Sequence, residues 1–139
     1  VQGVFLGVDH DTDAARLGYS VIEGVSFGLL DGLDALRAAG TQVKRLSLVG
    51  GGSRSRFWAQ LIADVLEVEI VLPEGAEAGG ALGAARLAAW ADGCGEAETC
   101  PPPVVRSVLV PDATRHATLA ERHARFRRLY TQVNELFAR

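Results

Sequence analysis

The clearest chemical signal in this sequence is a run of three glycines between an apolar segment and a predicted helix. Gly50, Gly51 and Gly52 follow the residues LSLV and precede SRSRFW. Because glycines lack side chains, a ligand can approach the backbone there, and the start of a helix offers unpaired amides and a positive dipole end. Ser53 and Ser55 add two hydroxyl donors. These five residues therefore predict a binding site for an anion, with phosphate as its natural ligand.

Two arginines strengthen this interpretation. Arg54 and Arg56 place cations at a helix N-terminus, where the helix dipole alone disfavours them. A bound anion would offset that repulsion, whereas a plain glycine turn with exposed arginines is the alternative that the residues leave open. The spacing does not fit a P-loop, which needs Lys followed by Ser or Thr, or the dinucleotide fingerprint, which needs a third glycine at the position of Arg56. The motif predicts phosphate binding in general.

A second segment of interest is the run EGAEAGGALGAA from Glu74 to Ala85. Small residues on nearly every side of the predicted helix leave room either for close packing or for a flat ligand lying against it. Elsewhere no pair of carboxylates, no histidine near a serine or cysteine and no metal-ligand cluster stands out, so we assign no catalytic residue and no metal ligand. Helix capping explains the acidic residues Asp9, Asp11 and Asp13.

The elements that must position these segments alternate along the chain. Apolar spacing and end signals predict helix 13–39, strand 43–49, glycine loop 50–52, helix 53–66, strand 67–72, helix 77–91, loop 92–116 with a short strand at 104–110 as an alternative, and helix 117–137. This order is typical of parallel strands joined by right-handed crossovers. The sequence therefore predicts an α/β fold with flanking helices.

The first predicted helix contains an unusual ridge of glycines. Gly24, Gly28 and Gly32 lie four residues apart, and Gly40 ends the helix. Each glycine in a helix interior costs about 1 kcal/mol relative to alanine. We expect another backbone to pack closely along this ridge, with a sliding contact at a domain hinge as the alternative.

Two neighbouring aromatic residues open the second predicted helix. Phe57 and Trp58 are adjacent and cannot share one helix face. We therefore predict structural roles for both, with one side chain entering the core and the other packing beside the sheet edge or an element outside this chain.

Length and composition describe one domain. The chain has 139 residues, 48% of them apolar, with 14 basic and 17 acidic side chains. A chain of this size buries a core without a metal or a disulfide. No Met occurs, even at position 1, which favours a processed chain or a piece of a longer one. Two or three strands form a small sheet with unpaired edges for so many helices, which favours the same interpretation.

Composition also argues against several classes of function. The longest apolar stretch, 76–91, is interrupted by charges and is shorter than the roughly 20 residues of a membrane span, so we expect no membrane partner. No signal peptide is visible, and we expect a cytoplasmic location. Residues 101–139 hold seven bases against three acids, but apolar residues at helical spacing place the arginines on a solvated face, so we expect no nucleic-acid binding. The residues of that apolar stripe are Leu119, His123, Phe126, Tyr130, Val133 and Phe137.

Five segments together resemble one known family. They are VFLGVDHDTD, SVIEGVSFGLLDGLDALRAAG, LVGGGSRSRFWAQLIADVLEVEIVLPEG, GGALGAARLAAWADG, and VPDATRHA with RFRRLY. The chain resembles the C-terminal part of FGGY-type carbohydrate kinases, most closely xylulose kinases, over nearly all its residues. Arg16 departs from the acidic or amide residue usual in the family, which concerns one local contact.

The resemblance implies an actin-like, ribonuclease-H-like ATPase domain that is incomplete here, since its opening strands precede position 1. By this resemblance Gly50, Gly51 and Gly52 match the loop that lies along the nucleotide phosphates, and Ser55 matches a position near the adenosine. The small residues 78–84 match the helix that flanks the nucleotide pocket.

The resemblance also implies a reaction and partners. ATP with Mg²⁺ would phosphorylate a ketopentose, most closely D-xylulose to xylulose 5-phosphate, although gluconate, ribulose, glycerol and fucose kinases share this half. The catalytic aspartate and the sugar ligands would lie in an N-terminal sugar-binding domain, so we expect this chain alone to be inactive. Unpaired sheet edges favour a homo-oligomer. A non-catalytic interaction module is the alternative of another class.

Overall fold

The computed structural model describes residues 3–137, and the side chains of residues 3–134. Five helices and three strands follow one another along the described chain. They are α1 (Ala14–Ala38), β1 (Arg45–Ser47), α2 (Arg56–Leu66), β2 (Glu69–Pro73), α3 (Gly79–Ala91), α4 (Glu96–Thr99), β3 (Val105–Leu109) and α5 (Ala113–Phe137). Two short 3-10 turns, Gly51–Arg54 and Ala76–Ala78, precede α2 and α3.

The three strands form one sheet in the order β1-β2-β3. β1 and β2 are parallel, with Leu46 opposite Ile70, and α2 connects them as expected for an α/β fold. β3, which lies in the segment given above as an alternative strand, is antiparallel to β2, with Val71 opposite Val108. α3 has no buried residue, and the segment between β2 and β3 does not form a crossover connection. The chain therefore re-enters the sheet at the end where it left.

Several element boundaries differ from the predicted ones. The strand predicted at 43–49 is reduced to three residues. The strand predicted from 67 begins at Glu69, because Glu67 has a left-handed backbone (φ 53°) that ends α2. The predicted loop 92–116 contains α4 and β3.

The helices also begin at other residues than predicted: α1 begins at Ala14 rather than 13 and α2 at Arg56 rather than 53. α5 begins at Ala113 rather than 117, because the carboxylate of Asp112 accepts the N–H groups of Thr114 and Arg115 and so caps the helix. α3 begins at Gly79 rather than 77, after the 3-10 turn.

Both ends of α1 are capped by residues with a local signal in the sequence. The Asp13 carboxylate accepts the N–H of Arg16 at 2.7 Å. At the other end Gly40 has φ 92°, its N–H donates to the carbonyl of Arg37, and the N–H of Thr41 donates to that of Leu36. This paired pattern is the glycine-terminated helix end.

The core lies around α2, which packs against α1, α5 and β2. Seven of its eleven residues are buried, since its apolar stripe faces the sheet and its remaining sides face two helices. The buried apolar residues of the core cluster are Phe27, Leu30, Leu33, Ala59, Leu61, Ile62, Ala63, Val65, Leu66, Val68, Ile70, Leu72, Leu109 and Leu119.

The glycine ridge of α1 is open over most of its length. A Cβ atom at Gly28 or Gly32 would meet nothing within 4 Å, and one at Gly24 would lie 3.9 Å from the ring of Phe126. The closely packed backbone expected there is therefore not found among the described residues. Large apolar side chains on the same helix are exposed as well, namely Val21, Val25, Leu29 and Leu36.

The apolar stripe of α5 docks this helix on α1. Leu119 and His123 are buried, whereas Tyr130 is exposed, and the side chain of Phe137 lies outside the described residues. Arg122 pairs with Glu23 of α1 at 2.8 Å. None of the helices that the structure describes has the length and apolarity needed to cross a bilayer.

Candidate functional site

The three glycines lie where the chain leaves β1 and turns towards α2. Gly50 has φ 90° and ψ −175°, a conformation that favours glycine. The 3-10 turn Gly51–Arg54 follows, and α2 begins two residues later. The predicted glycine loop is thus a tight turn that ends at a helix N-terminus.

Internal hydrogen bonds hold this turn. The backbone N–H and the hydroxyl of Ser53 both donate to the carbonyl of Gly50, at 3.1 Å and 2.7 Å. The N–H of Ser55 donates to the carbonyl of Gly52 at 3.1 Å. Ser53 is only 1% exposed, and its hydroxyl hydrogen is donated to the carbonyl of Gly50. This residue therefore stabilises the turn through internal hydrogen bonds.

Ser55 is the N-cap of α2. Its hydroxyl oxygen accepts the N–H of Trp58 at 3.2 Å, and its side chain is exposed. An oxygen that accepts one hydrogen bond keeps its own hydrogen for donation. Ser55 can therefore cap the helix and still donate to a ligand outside it.

Two amides of the turn remain available. The N–H groups of Gly51 and Gly52 donate to no residue within the described range 3–137. The first turn of α2 adds further unpaired amides and the positive end of the helix dipole. A phosphate group placed there would find donors without an intervening side chain.

The start of α3 lies beside the same turn. The N–H of Gly50 donates to the carbonyl of Ala76 at 2.7 Å. A Cβ atom at Gly79, where φ is 34°, would lie 3.6 Å from the nitrogen of Gly50. The structure therefore brings together the two segments that the sequence singled out separately, the glycine run and the small-residue run.

The charges around the turn are positive. Arg54 and Arg56 are exposed, and neither forms an ion pair with any residue whose side chain is described. The guanidinium of Arg106, on β3, reaches the carbonyl of Ser53 at 3.4 Å. Arg106 carries no signal in the sequence, because it lies 53 residues away and only the antiparallel return of β3 brings it close.

The two aromatic residues at the start of α2 lie in different surroundings, and one of them packs against the core as predicted. Phe57 is 56% exposed, and its ring meets that of Tyr19 at 6.2 Å rather than the sheet edge. Trp58 is half-buried, packs against the core and lies against Gly52. Trp58 therefore belongs to the surroundings of the candidate site.

Acidic residues near the chain start are engaged in local bonds. Asp9 accepts the hydroxyl of Thr12 at 2.7 Å and the N–H of Asp11 at 3.1 Å. In the portion of the chain that the structure describes, no group of three or more His, Cys, Asp or Glu residues could hold a metal ion.

The sequence and the fold match one family of proteins. Residues 1–91 match the model of the FGGY family of carbohydrate kinases, C-terminal domain. This range includes the glycine turn and the starts of α2 and α3. Residues 92–139, which contain β3 and α5, lie outside that match.

Individual relatives match over the full chain. The xylulose kinase of Escherichia coli (strain K12) is 38% identical over 139 residues, which cover 99% of this chain and 29% of that protein. The crystal structure of a xyloylose kinase from Brucella ovis superimposes with a TM-score of 0.81 at 39% identity, covering 98% of this chain and 28% of that one. The gluconate kinase from Lactobacillus acidophilus shares the fold, with a TM-score of 0.73 at 23% identity over 96% of this chain and 27% of that one. The chain thus spans less than a third of the length of these relatives.

Proposed function

Because this chain belongs to the FGGY family of carbohydrate kinases, we propose that it is the ATP-binding part of a sugar kinase. The observation that carries the proposal is the turn at Gly51 and Gly52, whose amides are unpaired within the described residues at the N-terminus of α2. The turn lies inside the region that matches the family. Phosphate binding at such a place follows from the helix dipole and from the absence of side chains.

Each predicted site residue has a role in this proposal. Gly51 and Gly52 donate their N–H groups to the ATP phosphates, and Gly50 provides the reversal that exposes them. Ser53 holds the turn through its bonds to Gly50, and Ser55 donates its free hydroxyl hydrogen. The small residues at the start of α3 form the other side of the nucleotide site.

ATP fits this arrangement, because its phosphates need the donors and cations that the turn offers. The described residues offer no cluster of ligands for Mg²⁺. In our proposal Mg²⁺ is bound by the ATP phosphates, as is usual for this ion, and by groups outside this chain.

We propose D-xylulose as the sugar, with xylulose 5-phosphate as product. The support is that the likeness to the Escherichia coli xylulose kinase extends over 139 residues and so includes the segment beyond residue 91. The fold alone does not select this sugar, because the gluconate kinase shares it. Kinases for other sugars of this family are therefore the competing proposal.

In the same proposal an N-terminal domain of the longer kinase supplies the sugar ligands and the catalytic base. Phosphoryl transfer then depends on positioning and on charge stabilisation at the phosphates, to which the turn contributes. For this chain by itself, the exposed apolar side chains of α1 and the free edge of β1 support a homo-oligomer. The proposal implies a cytoplasmic location, where a cell supplies ATP.

The substitution Gly51→Val tests the proposal in the full-length kinase. A Cβ atom at Gly51 would meet nothing within 4 Å, so the free protein tolerates the side chain, whereas a bound phosphate would clash with it. We expect the variant to keep its circular dichroism spectrum and to lose saturable ATP binding in calorimetry. Gly18→Val, also in open space but on α1, is the matched control.

The same titration separates the competing classes. If ATP binding survives Gly51→Val, the phosphates bind at another place than the turn. No binding by the wild-type kinase even at millimolar ATP would favour a non-catalytic interaction module. Assays with D-xylulose, gluconate, ribulose, glycerol and fucose as acceptors identify the sugar.

A further inference from the structure

The indole of Trp58 is fixed in orientation by a short chain of hydrogen bonds. Its Nε1–H donates to the hydroxyl oxygen of Ser26 at 3.1 Å. Ser26 is fully buried on α1 and donates its own hydrogen to the carbonyl of Ile22 at 2.7 Å. The orientation of the ring is therefore tied to the backbone of α1.

The same ring lies directly against the glycine turn. A Cβ atom at Gly52 would lie 2.8 Å from Cζ3 of Trp58, closer than Cβ atoms approach other atoms in proteins, and 3.2 Å from Cε3. Gly52 has no positive φ angle, so the indole, not the backbone conformation, requires glycine here.

Trp58 also binds the turn through its backbone. Its N–H donates to the hydroxyl oxygen of Ser55. One residue thus meets the turn from two sides, with its ring at Gly52 and its amide at Ser55. Consecutive glycines have a large conformational freedom of their own, and this contact restricts it.

We propose that Trp58 is a positioning residue of the nucleotide site. Its ring sets the position of Gly52 and, through it, the N–H groups of Gly51 and Gly52, while the ring itself does not touch the nucleotide. This inference rests on the proposed function, because it concerns the same turn. Donors that bind a phosphate must be held in place before the ligand arrives, and the turn obtains this support from α1 through Ser26 and Trp58.

The first test removes the indole hydrogen bond in the full-length kinase. Trp58→Phe and Ser26→Ala each delete the same bond, so each is expected to raise the KM for ATP about three- to tenfold. The KM for the sugar and kcat are expected to stay at the wild-type values. Trp58→Phe also removes the ring contact with Gly52, so the double variant should show no rise beyond that of Trp58→Phe alone. Trp90→Phe, at an exposed tryptophan near the end of α3, is the matched control.

The second test uses the contact between the ring and the turn. Gly52→Ala is expected to raise the KM for ATP by about tenfold or more, because the turn must move away from the indole. The atoms that block this Cβ atom, Cζ3 and Cε3, belong to the six-membered ring of the indole. The smaller side chain of phenylalanine places no ring at that position. Gly52→Ala should therefore be partly rescued when it is combined with Trp58→Phe.

The outcomes separate this inference from the proposed function. If Gly51→Val abolishes ATP binding but Trp58→Phe and Ser26→Ala leave the KM for ATP unchanged, the positioning role is wrong and the site stands. Equal losses in the KM for the sugar and for ATP, or simple additivity of Gly52→Ala and Trp58→Phe, would also overturn it. If Gly51→Val has no effect, the site itself is wrong.

Discussion

The buried carboxylate of Asp64, on α2, accepts the backbone N–H of Asp112 at 3.0 Å across 48 residues of sequence. The same oxygen accepts the side-chain amide of Gln60 at 2.8 Å, and the other oxygen lies 3.2 Å from the guanidinium of Arg115. Asp112 is itself the cap of α5. One side chain in the core thus holds the start of the last helix.

We predict that Asp64→Ala lowers the free energy of unfolding by about 2 to 3 kcal/mol, because hydrogen bonds to a charged group are lost together. Asp64→Asn keeps one acceptor oxygen and should lose less. Chemical denaturation followed by circular dichroism measures both.

Asp34→Ala is the control for this prediction. Asp34 pairs with Arg37 on the surface of α1, and such exposed pairs contribute at most about 1 kcal/mol. Equal losses for Asp64→Ala and Asp34→Ala would show that Asp64 does not hold α5.

Part of this arrangement could be predicted from the sequence. The cap at Asp112 follows Pro111 and precedes a helical stretch, a local signal that would have given the start of α5. The role of Asp64 had no such signal, because it depends on the position of a segment 48 residues away. Caps and helix periodicity are local and could be predicted, whereas a buried carboxylate and its distant partners could not.

The pKa of Tyr19 is the subject of the next prediction. Partial burial raises the pKa of Tyr19 above its ordinary value of 10.0, and the negative charge of Glu23 raises it further, with a smaller opposing effect of Arg122. We expect Glu23→Gln to lower the pKa of Tyr19, because the negative charge and the hydrogen bond of Glu23 both raise it. Ultraviolet absorbance of the tyrosinate, measured in a Tyr130→Phe background so that Tyr19 is the one tyrosine of this chain, follows the titration.

The sign of the effect on stability follows from the same shift. Because the folded pKa lies above the unfolded one, the contribution of Tyr19 is complete below pH 10.0 and is lost as the pH rises through the folded pKa. A Tyr19→Phe variant should show a smaller fall in stability above that pH. An identical fall in both proteins would contradict the assignment.

Ser55 allows capping to be separated from ligand binding. Ser55→Ala removes the acceptor for the N–H of Trp58 and should lower the free energy of unfolding by about 1 kcal/mol. Ser55→Asp restores a cap and should be about as stable as wild type, yet its negative charge should lower ATP affinity in calorimetry. Unchanged ATP affinity in Ser55→Asp would place the phosphates away from this residue.

Two glycines, one on the ridge of α1 and one beyond its C-terminal end, give predictions of opposite sign. Gly28→Ala should raise the free energy of unfolding of this chain by about 0.5 to 1 kcal/mol, since nothing lies within 4 Å of the new Cβ atom. Gly40→Ala should lower it by about 1 kcal/mol, because φ is 92° there. Thermal denaturation compares the two variants. Destabilisation by Gly28→Ala would mean that another backbone approaches the ridge after all.

The candidate site shows the same division between local and distant information. The run from Gly50 to Gly52 and the cap at Ser55 could be predicted because their chemistry depends on neighbouring residues. The hydrogen bond between Trp58 and Ser26, 32 residues apart, and the approach of Arg106 could not. Both depend on how α1 and β3 pack against the turn.

The two helices that meet at the glycine turn differ in how much of each is buried within this chain. None of the thirteen residues of α3 is buried, whereas most of α2 belongs to the core. Amide protons of α2 should therefore exchange with solvent only when the core opens, and those of α3 through local fraying of its own turns. In the proposed site a nucleotide between them would rest on one rigid side and one less rigid side. We then expect substitutions that stiffen α3 to slow its release.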